Sequence, residues 1–143
     1  MMALEKTPYS YGVRCLKWAL QTFGSTLVYN SQERCARFLE EALELVQTLG
    51  FNKRRALALV EYVYGREPGE VDQEFGGVMN TLFLLGETTS KNLHELGEIE
   101  LSRCWDNVEK IRAKNLDKNK DYLNDSVRGI PVEKLIDIDP LGR

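Results

Sequence analysis

Arg37-Phe38-Leu39-Glu40-Glu41-Ala42-Leu43-Glu44-Leu45-Val46 reads as one helix with two unlike faces. Phe38, Leu39, Ala42, Leu43, Leu45 and Val46 recur at helical spacing and form a wide apolar stripe. Glu40, Glu41 and Glu44 gather at its edge. Glu41 and Glu44 are three positions apart and Glu40 and Glu44 four, so their carboxylates project to one side. Like charges at those spacings repel, at a cost of roughly a few tenths of a kcal/mol per pair. A solvated face would gain by alternating Glu with Lys. A hard divalent cation such as Mg²⁺, by contrast, needs oxygen ligands held in fixed geometry. The plainer reading is a solvated acidic face, because Glu is a strong helix former.

Composition sets the frame around this helix. A chain of 143 residues is long enough for one domain with a real core. A net charge of −3 argues against direct nucleic-acid binding, which leans on basic patches. No apolar run approaches a membrane span, and the N-terminus lacks the basic-then-apolar order of a secretory signal. A cytoplasmic protein without a membrane partner is therefore expected. Cys15, Cys35 and Cys104 are far apart, odd in number and without metal-binding spacing, which predicts reduced, mostly buried thiols. Clear helical periods and only four prolines predict an all-α chain.

On the N-terminal side, Thr7-Pro8 has the form of a helix start, and Val13, Leu16, Trp18, Ala19, Leu20 and Phe23 carry a helix that Gly24 can close. Residues 25–29 read as a loop; the run Thr26-Leu27-Val28-Tyr29 has strand propensity but no partner run elsewhere. Asn30 with Glu33 has the form of a capping box opening the central helix, and Gly50 ends it. Asn52 can cap a third helix over 53–64, stopped by Gly65. Lys53, Arg54 and Arg55 at its start oppose the helix dipole. They are either a solvated basic turn or cations that attract a phosphate.

A fourth helix follows the turn at 65–69, with Phe75, Val78, Met79, Leu82 and Leu85 as its stripe. Inside it lies Gly76-Gly77. Each glycine in a helix interior costs about 1 kcal/mol relative to alanine, so the pair has a reason: a second backbone packed close, or a ligand. Residues 88–90 can cap a last long helix reaching to about residue 115, with Leu93, Leu96, Ile99, Leu101, Trp105, Val108 and Ile111 apolar and Lys110, Arg112 and Lys114 at its basic end. The expected organisation is a single helical domain over 1–115, a bundle of four to five helices, and an extended charged tail over 116–143 that Gly129, Pro131 and Pro140 interrupt. Apolar residues on nearly two faces of the fourth helix, Leu82 to Leu85, predict burial against a second copy.

With the helices placed, the chain resembles the MazG-like, all-α nucleotide pyrophosphohydrolases. Their mark is Glu-Glu-x-x-Glu on one helix and Glu-x-x-Asp on a later one. Glu40-Glu41-Ala42-Leu43-Glu44 matches the first half completely. In the second half Glu74 takes the glutamate position, and Gly77 stands where the family has aspartate. The resemblance spans roughly residues 31–114. It implies Mg²⁺ or Mn²⁺ held by Glu41, Glu44 and Glu74, with Glu40 orienting the attacking water. It implies cleavage of a nucleoside triphosphate to a monophosphate and pyrophosphate, and a homodimer or homotetramer.

For the absent aspartate, Glu70, one turn before Glu74, is the preferred substitute; Asn80 or a water are alternatives. Lys110 and Lys114 are the candidate phosphate cations, Gly77 offers space for a phosphate or ribose, and Trp18 is a candidate for stacking on the base, although an aromatic at helical spacing is usually core. His94 is the sole histidine, which argues against a zinc site. Two other functions stay open: a relative that binds nucleotide without hydrolysing it, and a purely structural helical oligomer.

Overall fold

The computed structural model describes residues 10–117, and every regular element within them is helical. Seven helices follow in order: α1 Tyr11–Phe23, α2 Ser25–Val28, α3 Ser31–Thr48, α4 Lys53–Tyr64, α5 Val71–Thr88, α6 Leu93–Asp106 and α7 Val108–Asp117. No helix among the described residues is long and apolar enough to cross a membrane. The described chain divides into two compact units, residues 10–28 with 70–117, and residues 29–69. The expected start at Thr7-Pro8 and the expected tail beyond Asp117 lie outside the described residues.

In the first unit α1 packs on α2, α6 and α7. Ser10 caps α1, its hydroxyl accepting the Val13 N–H at 3.4 Å. Gly24 closes the helix at a φ of +82°, a left-handed conformation that suits glycine, and its N–H reaches the Leu20 carbonyl at 2.9 Å. The loop expected at 25–29 is instead the short helix α2. Its Val28 is buried, and its N–H returns to the Gly24 carbonyl, so packing overrides the strand propensity of the run.

The single last helix is also corrected. Asn92, not 88–90, caps α6, accepting the Glu95 N–H at 3.2 Å. Thr88 and Thr89 instead finish α5, and Ser90 takes a positive φ of 58° in the turn. The helix then breaks at Asn107, whose amide donates to the Arg103 carbonyl at 2.7 Å. Asn competes with helical backbone bonding in this way, and α7 starts afresh at Val108. Arg112 of α7 satisfies the open end of α1: its Nε donates to the Thr22 carbonyl at 2.9 Å and its Nη2 to the Gln21 carbonyl at 3.0 Å.

Between α1 and α6, Tyr11 donates to the Gly97 carbonyl at 2.9 Å, and Arg14 forms a two-pronged ion pair with Glu98. The bond from Arg14 holds the Glu98 carboxyl below its ordinary range. Burial, and then a hydrogen bond with Cys15, push the Tyr11 phenol up to about 12.

The second unit is the α3–α4 pair of helices. Asn30 accepts the Glu33 N–H at 3.0 Å, the forward half of the expected capping box. The Glu33 side chain itself is 1% exposed and faces the guanidiniums of Arg37 at 3.5 Å and Arg34 at 3.8 Å. α3 ends in a Schellman turn. Gly50, at φ +85°, bonds to the Gln47 carbonyl, and Phe51 bonds to that of Val46. Asn52 then caps α4 by accepting the Arg55 N–H at 3.0 Å, and Gly65 stops it.

The large core expected from chain length is not found among the described residues. Ala19, Val28 and Leu101 are the buried apolar side chains, all in the first unit. Phe38, Leu39, Leu43 and Leu45 of α3, and Phe75, Val78, Met79 and Leu82 of α5, are exposed. The helical stripes form as their spacing demands, and they face outward. The thiols follow suit: Cys35 is exposed, and Cys15 and Cys104 are half-buried rather than buried.

Candidate functional site

Glu40, Glu41 and Glu44 all lie on α3, whose 18 residues hold them in fixed register. Arg37, one turn before, forms an ion pair with Glu40 and fixes that carboxylate's direction. Glu41 and Glu44 are exposed. Alongside them, within the second unit, runs an open groove of about 600 Å³ between α3 and the start of α4. Leu39, Leu43, Val46, Phe51 and Ala56 give it apolar walls; Arg37, Glu40, Glu44, Gln47 and Lys53 supply polar groups. Apolar walls with a few polar groups, at this size, are the usual make-up of a small-molecule site. The Schellman turn after α3 brings Phe51 to the groove, and the Asn52 cap sets Lys53 beside it.

Glu40 and Glu44 of this groove, and Lys53 as a possible phosphate cation, are expected from the sequence; Arg37 and Phe51 join it as groove residues only in the structure. The Arg37–Glu40 spacing of three was a readable signal for the first. Phe51, just after the glycine that stops α3, occupies the position where an apolar contact commonly accompanies this kind of turn.

The remaining candidates lie in the first unit. Glu74 is in the first turn of α5, exposed, at the end where the dipole favours a carboxylate. Glu70 is the N-cap residue, with extended backbone at φ −93° and ψ 130°. Helical periodicity therefore does not fix its side chain above Glu74, as the reading of one shared face assumes. Gly77 is in the body of α5, and a Cβ added there, or at Gly76, would meet nothing within 4 Å. Lys110 and Lys114 are exposed on α7. Trp18 is half-buried and takes the Phe23 ring edge-on, centroids 5.5 Å apart. His94 is exposed and tilts against Phe83.

Mg²⁺ is commonly held by one or two carboxylates, its other positions filled by water and substrate phosphates. Glu41 and Glu44, three apart on one helix, meet that need in donor type and spacing. Among the described residues no group of three or more His, Cys, Asp and Glu side chains gathers to hold a metal ion by itself. Comparison of the chain with family models, with curated proteins and with solved structures returns no match.

Proposed function

We propose that this chain is a Mg²⁺-dependent nucleotide pyrophosphohydrolase of the MazG-like, all-α kind, cleaving a nucleoside triphosphate to a monophosphate and pyrophosphate. The observation that most supports the reading is local to α3. Glu40 and Glu44 of a complete Glu-Glu-x-x-Glu motif line a groove that also carries Arg37 and Lys53, and Glu41 lies on the same helix outside that lining. A nucleotide has an apolar ring system and a polyanionic tail, and the groove offers apolar walls and cations. In this reading Glu41 and Glu44 are the cation's protein ligands, Glu74 is the acid kept from the motif's second half, and Glu70, outside the motif, is the candidate for the acid that Gly77 replaces. Mg²⁺ or Mn²⁺, when bound, neutralises phosphate charge and lowers the pKa of a bound water. Glu40, steadied by Arg37, orients that water from its fixed direction. Lys53, Lys110 and Lys114 are the candidate phosphate cations. The functional unit in this reading is a homodimer or homotetramer.

A second reading rests on Gly77. With glycine at the position where the family carries an acid, the chain binds nucleotide without turning it over. The test incubates the full chain with Mg²⁺ and a panel of nucleoside triphosphates, and follows pyrophosphate release together with thermal stability. Release that Glu44→Gln abolishes supports hydrolysis. A nucleotide-dependent rise in melting temperature without release supports the binding reading, since a ligand of the native state stabilises it. Neither effect leaves a structural helical oligomer with solvated glutamates.

A further inference from the structure

Three charged side chains of α3 form a row that the groove only partly contains. Glu33, Arg37 and Glu40 follow one another by four and three residues, so they lie along one side of the helix. Arg37 has a carboxylate on each side: its Nε lies 3.5 Å from Glu33, and its Nη1 pairs with Glu40. Arg37 and Glu40 line the groove, with Glu44 one turn further on. Glu33 is not among the lining residues, and its side chain is 1% exposed. We infer that Glu33 is a positioning residue for the reaction in the groove: it keeps Arg37 beside Glu40 and away from the nucleotide's phosphates. The role presupposes the proposed nucleotide site.

The guanidinium of Arg37 suits two carboxylates at once, because its planar fork presents several donors in fixed directions. It suits phosphate equally well, and a triphosphate carries more negative charge than one glutamate. Arg37 stands two turns of α3 from Glu44, about 10 Å of rise, a gap that a metal-bound triphosphate and the long arginine side chain close between them. Paired with Glu40 alone, Arg37 would turn to the incoming phosphates. Glu40 would then lose the partner that fixes its direction.

Glu33 weighs against that move. Its carboxylate has almost no water to replace a lost cation, so separating it from Arg37 leaves a buried charge poorly compensated. Arg34 faces Glu33 as well, but from 3.8 Å and with a more exposed side chain than Arg37, and is the lesser partner. With two carboxylates set against the phosphates, Arg37 stays in place. Phosphate charge is then met by Lys53, which lines the groove from the start of α4. Glu33 thus gives up ground-state affinity for the nucleotide and gains turnover, since binding that is equal in ground and transition states does not raise kcat.

The test compares the full wild-type chain with Glu33→Gln, which keeps the side chain's size and removes its charge. Circular dichroism first establishes the helix content of each chain. Pyrophosphate release with Mg²⁺ and a nucleoside triphosphate gives kcat and KM, and titration with a triphosphate bearing a non-hydrolysable α–β bridge gives affinity. Glu33→Gln is expected to bind the analogue about tenfold more tightly, the worth of one charge-assisted hydrogen bond to phosphate. Its kcat is expected to fall about 10–100-fold, the usual effect of losing an outer-shell partner. KM and kcat therefore fall together, whereas a merely structural loss does not tighten binding. Adding Arg37→Gln to Glu33→Gln should cancel the tighter binding and leave kcat low, because the released cation is gone. Where Glu33→Gln loses its helix content, Glu33→Asp carries the test: it draws the carboxylate back from Arg37 by one methylene, and both constants should fall by less. Affinity that fails to tighten, or a kcat that holds, overturns the positioning role while wild-type release stands. A wild-type chain that binds the analogue without release also overturns it and leaves nucleotide binding intact. A chain that neither binds nor releases removes the nucleotide site itself.

Discussion

Replacing Gly76 and Gly77 by alanine is expected to stabilise the chain, a rare direction for a mutation inside a helix. Glycine in a helix interior is less favourable than alanine by about 1 kcal/mol, through backbone entropy. The opposing term is steric, and at these two positions it is absent: an added Cβ meets nothing within 4 Å. The double variant should gain about 1–2 kcal/mol, which for a chain of this size raises the melting temperature by roughly 3–6 °C. Gly86→Ala is the internal control. There the added Cβ would lie 3.0–3.3 Å from the Leu93 side chain, and overpacking of about 1–3 kcal/mol offsets the helical gain. Thermal unfolding followed by circular dichroism reads all three. The measurement also addresses the site. If Gly77 gives room to a phosphate or ribose, Gly77→Ala raises the melting temperature of the free protein and removes the further rise on adding Mg²⁺ and nucleotide. A melting temperature that falls for Gly76→Ala or Gly77→Ala would refute the reasoning, because some neighbour would have to occupy space that is open in this fold.

Three further outcomes follow from the first and second units. Arg112→Ala removes two charge-assisted bonds to the end of α1 and should cost about 1–3 kcal/mol, read by urea unfolding, with Arg112→Lys recovering only part because its single ammonium lacks the guanidinium's spread of donors. Glu33→Ala removes a buried carboxylate that two guanidiniums face, and a loss of about 3 kcal/mol is expected; no change would mean that Glu33 contributes nothing net to stability. Stability should vary with pH at both ends. The Glu98 carboxyl is depressed in the fold, so its contribution is present above about pH 4.3 and lost as pH falls through the folded value, and Glu98→Gln should flatten that acid limb. The Tyr11 phenol is raised to about 12, so its contribution is complete below pH 10 and lost as pH rises through 12, a limb that Tyr11→Phe should abolish.

Much of the helical framework is legible one turn at a time. Asn30 and Asn52 cap the helices they are expected to cap, and Gly24, Gly50 and Gly65 stop theirs, because a cap or a left-handed glycine acts within four residues of itself. The errors come from distance. Val28 turns a loop into α2 through burial, and Asn107 divides the last helix by a bond that propensity alone does not reveal. For the candidate site, the sequence supplies the acids of α3 and their register. It does not supply the groove, since Phe51 and Lys53 reach it only once the turn between α3 and α4 is formed.

What the sequence determined by itself, then, is that the chain is helical, where most helices begin and stop, and that Glu40, Glu41 and Glu44 share one helix edge. These depend on backbone hydrogen bonds and side-chain spacing inside a single helix. The tertiary structure alone decided which apolar residues are covered and which face outward, that Val28 is buried, and that Arg112 of α7 seals the end of α1. Those outcomes depend on contacts between residues as many as 91 positions apart, and no local period encodes them.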